Sequence, residues 1–147
     1  PNYNYIIAPH EIQHISALQK QTNALLFSKA NNTNIINNNV LIIDSIGILS
    51  NIYKYGNLAY IGGGFGVGIH NILEAVAFGL PVIFGPNYQK FNEATELINK
   101  KGAISISNYK ELTSSIELFS AFDKSIAINY MQENSGATTK ILDSFNT

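Results

Sequence analysis

Apolar residues along this chain alternate between two rhythms. Short β-rich runs recur: "YNYIIAP" ending at Pro9, "ALLFS" at residues 24–28, "VLIID" at 40–44, "LAYIG" at 58–62, "PVIFG" at 81–85 and "AISIS" at 103–107. They predict six strands. The unbroken run at 40–44 suits a strand buried on both faces. Between the runs the spacing turns helical. Ile12, Ile15 and Leu18 mark a helix over residues 10–21, and Ile48, Leu49, Ile52 and Tyr55 mark one over 47–55. Ile72, Leu73, Val76 and Ala77 form a stripe that stops at Gly79, with Pro81 two residues on, the usual punctuation of a helix C-terminus. Further helices are expected over 91–101, 109–119 and 126–145, the last with a break at Gly136. This alternation predicts an α/β fold: a doubly wound parallel sheet of about six strands, helices on both faces and right-handed crossovers. Ligands of such sheets bind beyond the carboxyl ends of the strands. That directs attention to residues 9–10, 44–48, 62–74 and 85–90.

Composition narrows the function. The chain has 147 residues, 46% of them hydrophobic and 13% charged, which suits one folded domain over residues 1–147. A net charge of −1 without a basic block argues against nucleic-acid binding. There is no cysteine, so disulfides and thiolate metal sites are excluded. All nine basic residues are Lys, so no guanidinium from this chain can clamp a phosphate. The Asn-rich stretch at 31–39 reads as a surface loop. No apolar run has transmembrane length and no signal peptide is visible. The chain starts at Pro1 directly before a strand and reads as a piece of a longer protein.

The densest chemical signal is "AYIGGGFGVGIHNILEA", residues 59–75, with glycines at 62, 63, 64, 66 and 68. Such a run marks a tight turn or a close approach to the backbone. The dinucleotide fingerprint G-x-G-x-x-G fails in every register, and no Lys follows to complete a phosphate loop. What remains is a strand-to-helix turn whose amides are suited to an anion. Glu74 lies three residues after Asn71 and four after His70, so it shares a helical face with them. Two readings of Glu74 stand side by side: a carboxylate that accepts hydrogen bonds from a sugar diol, and a capping box in which Asn71 caps the helix and Glu74 reciprocates.

The segment "IGGGFGVGIHNILEAVAFGLPVIFGPNYQKFNEA" resembles the donor-binding half of a GT-B glycosyltransferase. More closely it resembles the 3-deoxy-D-manno-octulosonic acid (Kdo) transferases of lipid A biosynthesis. That family carries G-G-[SG]…G-x-H-N-x-L-E-[AP] and then [IL]-P-V-x-x-G-P, matched at residues 62–75 and 80–86. A D-x-[MI]-G turn is matched at 44–47, a Pro/Arg/His element at Pro9–His10, and a C-terminal helix entry by "YMQENSGA". Pro9 stands where the family often has Arg, Ile48 where it often has Glu, Gly64 where Ser is frequent, and Ile69 where Gly is frequent.

The resemblance implies a Rossmann-like C-terminal domain that binds CMP-Kdo, in a lipopolysaccharide-pathway enzyme that transfers Kdo to the lipid A precursor. It implies donor contacts at Pro9 and His10, at Ile46, Gly47 and Ile48, and at Asn71, Ile72, Leu73 and Glu74, with Glu74 on the ribose. Lys90 faces the anionic donor on this reading. No cofactor and no metal are expected. The catalytic base is expected on an N-terminal acceptor domain outside this chain, so no catalytic residue is named and the isolated chain is expected to be inactive. Acceptor and membrane contact fall to that domain. The expected location is the cytoplasmic face of the bacterial inner membrane, with this fragment itself soluble. Alternatives are a UDP-sugar GT-B transferase, a sugar-nucleotide epimerase, or a nucleotide-binding domain without its own chemistry.

Overall fold

The computed structural model of the chain describes residues 3–135. All six expected strands are present and every pairing is parallel. Hydrogen bonding groups them as two three-stranded sheets, one in each of two compact units, Pro1–Leu49 and Ser50–Thr147. Among the described residues, no helix is long and apolar enough to cross a membrane.

In the first unit β1 (Tyr5–Ile7), β2 (Leu25–Leu26) and β3 (Val40–Ile42) take the order β1-β3-β2. The expected helix over 10–21 opens with a 3-10 turn, Ile12–His14, and continues as α1, Ile15–Thr22. It stops at Asn23, which takes the left-handed conformation at φ 53°, a conformation Asn tolerates better than most residues. Ile15 and Leu18 of α1 pack with Ile7, Leu26, Val40 and Ile42, so the apolar stripe of the helix covers the sheet. The second strand is shorter than its apolar run, because Phe27–Lys29 turns away as a 3-10 helix.

The chain passes between the units in a single helical turn, α2 (Leu49–Ile52), followed by a 3-10 turn, Tyr53–Tyr55. Gly47, at φ +86°, belongs to the preceding turn, which shortens the expected helix. In the second unit β4 (Ala59–Tyr60), β5 (Val82–Phe84) and β6 (Ala103–Ser105) lie in chain order. The period of two decides what each face carries. Val82 and Phe84 join Ile72, Val76, Leu97 and Ala127 in one cluster, whereas Ile83 joins Ile106, Ile116 and Phe119 in another. The first cluster is covered by α3 (Leu73–Val76), α4 (Asn92–Asn99) and α6 (Lys124–Asn134), the second by α5 (Tyr109–Leu118). Helices therefore flank this sheet on both faces, as the pattern predicts.

Helix ends follow local chemistry. Leu80 N donates to Ala75 O and Gly79 N to Val76 O, with Gly79 at φ +75°. This is a Schellman end, placed where Gly79 and Pro81 predict it. α6 is tied to α4 by Tyr130 Oη donating to Glu96 Oε2 (2.9 Å) and by the Lys100–Glu133 ion pair (2.7 Å). Burial, then the Glu96 carboxylate, pushes the Tyr130 hydroxyl up to about 12. The expected closing helix over 126–145 extends past α6, and that remainder, with the break at Gly136, lies outside the described residues.

Candidate functional site

The turns after β1 and β3 carry the first group of expected site residues. Pro9 is half-buried and His10 exposed. Together with Glu11, His14 and Leu18 they line a shallow depression. His14 Nε2 lies 2.8 Å from Glu11 Oε2. A hydrogen bond from Gln13, and then His14, holds the Glu11 carboxyl below its ordinary value. Beyond β3, Ile46 is 84% exposed, Gly47 is left-handed with open space where a Cβ would stand, and Ile48 is half-buried. Gly47 is thus required for its backbone angle, not for room.

Asp44 shapes this turn. It accepts from Ser28 N (2.9 Å) and from Ser28 Oγ, joining the end of β3 to the 3-10 turn after β2. The Ser28 hydroxyl, and to a lesser degree its amide, hold the Asp44 carboxyl below the usual 3.8. A depressed carboxyl contributes stability above its unfolded value and loses it as the pH falls through the folded one. Asp44→Asn is therefore expected to melt below the parent near neutral pH. The gap should close as the pH drops below about 3.8, read by circular dichroism melts across that range. A gap independent of pH would remove the role of charge.

The second group follows β4. Gly64 N donates to Gly68 O (2.6 Å) and His70 N to Gly62 O (3.2 Å), so the glycine stretch closes on itself. Its tip, Phe65–Gly66–Val67, is exposed. The glycines answer mainly to packing. A Cβ on Gly63 would stand 2.4 Å from Gly68 O, and one on Gly64 2.7 Å from the Cα of Gly85. One on Gly85 would stand 2.6 Å from the carbonyl carbon of Gly64. Backbone meets backbone there, and among the loop glycines Gly66 alone has open space around it. Asn87 completes the clasp, its N donating to Gly64 O and its Nδ2 to Gly66 O, both at 2.8 Å. Residues 85–90 are expected beside a ligand, but the contact of Gly85 and Asn87 with the glycine loop is not foreshadowed by that expectation. Its signal is a glycine at a strand end, G-P-N, positioned to meet the glycine loop of the neighbouring strand.

The residues expected to grip a ligand come next. Asn71 Oδ1 accepts from Leu73 N (3.0 Å), and Asn71 Nδ2 donates to Glu74 Oε1 (3.0 Å). Asn71 thus makes an Asx turn that leads into the helix from the position before its N-cap, Ile72, and the partner of Glu74 is the Asn71 side chain and not a backbone amide. Asn71 and Glu74 are exposed, Leu73 is half-buried, and Ile72 is 1% exposed. The Ile72 side chain is core, so only its backbone can meet a ligand. Since α3 is a single turn, its aligned dipole is small, and what its start offers to an anion is individual amides. Burial, and then the Glu74 charge, raise the Tyr53 hydroxyl above 10. Lys90 is exposed in the segment between β5 and α4. Among the described residues, no group of three or more His, Asp or Glu is arranged to hold a metal ion.

Known proteins are similar to this chain in sequence or in fold. The chain is 31% identical over 125 residues to the 3-deoxy-D-manno-octulosonic acid transferase of Aquifex aeolicus, covering 84% of this chain and 35% of that one. It is 30% identical over 146 residues to the transferase of the same name from Rickettsia prowazekii, covering 95% and 30%. The chain thus spans about a third of the length of these curated relatives. No family model matches. The fold is similar to the crystal structure of the C-terminal CMP-Kdo binding domain of WaaA from Acinetobacter baumannii, with a TM-score of 0.69 and 19% identity over 86% of this chain and 72% of that one.

Proposed function

We propose, from the premise that this chain is a relative of the Kdo transferases over most of its length, that residues 1–147 form one donor-binding domain for CMP-Kdo. The observation that carries this reading is the exposed Glu74 carboxylate, held by Asn71 in the first turn of the helix that the glycine loop after β4 leads into, since ligands of such sheets bind at the segments that follow the strands. Glu74 accepts hydrogen bonds from the ribose hydroxyls. Backbone amides of Asn71, Ile72 and Leu73 face the phosphate; in the first unit, taken by itself, Pro9, His10, Ile46, Gly47 and Ile48 are the residues that the resemblance to the family assigns to the donor. During transfer the bond between the anomeric carbon and the phosphate oxygen breaks, and charge builds on the departing CMP. Fixed amides stabilise that charge without reorganising. No residue of this chain is assigned as the base for the acceptor hydroxyl, and no cofactor is assigned.

In the whole protein the acceptor is the lipid A precursor. It is bound, with contact to the cytoplasmic face of the inner membrane, by parts of the protein beyond this chain. Calorimetric titration of the full chain with CMP, UMP and UDP tests the donor assignment. CMP is expected to bind more tightly than UMP. Tightest binding of UDP would move the chain to the UDP-sugar transferases, and no binding of any of the three would remove the reading.

A further inference from the structure

The chain uses the pattern N-x-x-E twice, and the two copies differ. At the start of α5, Asn108 Oδ1 accepts from Glu111 N (3.0 Å). Glu111 accepts from Ser107 N with one oxygen and from Asn108 Nδ2 with the other, both at 2.7 Å. Both carboxylate oxygens are occupied within the chain, in a variant of the capping box whose backbone donor is Ser107, one residue before the N-cap. At the start of α3, Asn71 Oδ1 instead accepts from Leu73 N, two residues on, from the position before the N-cap Ile72, and its amide nitrogen reaches Glu74 Oε1. Among the described residues, no backbone amide donates to the Glu74 carboxylate. α5 has ten residues and α3 has four. The shorter helix is held by its buried face and its Schellman end, and the Glu74 carboxylate adds no backbone hydrogen bond to it.

We propose that Asn71 is a positioning residue. Its Oδ1 fixes its own orientation on the Leu73 amide, and its Nδ2 then aims the Glu74 carboxylate, leaving the second oxygen for a ligand diol. This rests on the reading of Glu74 as the ribose carboxylate. A glutamate on a surface has three rotatable bonds, and holding it in one geometry before binding removes part of the ordering cost from the binding step. Asn71 acts on the ligand through Glu74, with its side chain outside the ligand contact.

Asn71→Asp separates the two jobs of this side chain. Asp caps a helix about as well as Asn, so the melting temperature should stay within about 2 °C of the parent. Asp has no Nδ2 to donate, and it sets a second carboxylate against Glu74. CMP affinity near neutral pH should fall roughly tenfold or more. In a Glu74→Gln background the Gln amide donates to the new Asp, and Asn71→Asp should then change CMP affinity less than about twofold. Parent-like CMP affinity in Asn71→Asp would overturn the positioning role. So would a loss that persists undiminished in the Glu74→Gln background, because Asn71 would then act on the ligand directly. An unaltered chain that binds no CMP would overturn the donor reading, and this inference with it.

Discussion

Gly64→Ala is expected to be a severely damaging single-methyl change in the second unit. Gly64 sits at φ +81°, where an L-residue costs roughly 1–2 kcal/mol. Its new Cβ would also lie 2.7 Å from the Cα and carbonyl carbon of Gly85 and 2.8 Å from its oxygen. These are backbone atoms at the end of a fully buried strand, so no side chain can rotate aside. Relief has to come from separating the two loops, which strains the hydrogen bond from Asn87 N to Gly64 O. The combined cost is about 3–5 kcal/mol, at the upper end of single-mutant effects and a large part of a typical domain stability. Thermal unfolding by circular dichroism should show a fall in melting temperature of about 10 °C or more. Gly66→Ala is the control, since nothing lies within 4 Å of a Cβ there, and its melting temperature should stay close to the parent. Equal behaviour of the two variants would refute the packing account of the loop.

The second large effect is on binding. Glu74→Gln keeps an amide oxygen that can accept from Asn71 Nδ2, so the helix start and the melting temperature should be unchanged. It loses the charged acceptor. A hydrogen bond to a charged group contributes about 1.5–3 kcal/mol, so CMP affinity should fall roughly 10- to 100-fold. Calorimetry on parent and variant at matched pH and salt decides it. A Gln variant that binds CMP as the parent does would take the ribose away from Glu74. A variant that loses stability in step with affinity would return Glu74 to a capping role.

The parts of this fold legible in the sequence are those governed by near neighbours. The run at 81–85 yields a strand whose residues Val82, Ile83 and Phe84 are all fully buried. Gly79 with Pro81 locates the end of α3, because a left-handed residue and a missing amide act within a few positions. The glycine stretch shows the opposite case. From sequence alone its glycines mark either a tight turn or a close approach of something to the backbone, and what approaches Gly64 is Gly85, far along the chain at the end of the neighbouring strand. No local pattern reports such a contact. The same holds at Asn71 and Glu74, where spacing places the pair on one face, but only geometry shows that Glu74 accepts from a side chain. Ile72, inside the H-N-x-L-E pattern, belongs to the core. The helical stripe places Ile72 on the apolar face while the family pattern counts it among the donor contacts, and its burial leaves only its backbone for the second role.

β5 also bears on how the second unit comes apart. Val82 and Phe84 belong to one apolar cluster and Ile83, between them, to the other. Neither cluster can lose this strand while the other keeps it. Loosening α5 uncovers Ile83, and loosening α4 or α6 uncovers Val82 and Phe84. Either event weakens the strand that the remaining helices rest on. Partial opening that spares half of the unit is therefore disfavoured, and its helices share one cooperative transition in place of separate, staged ones.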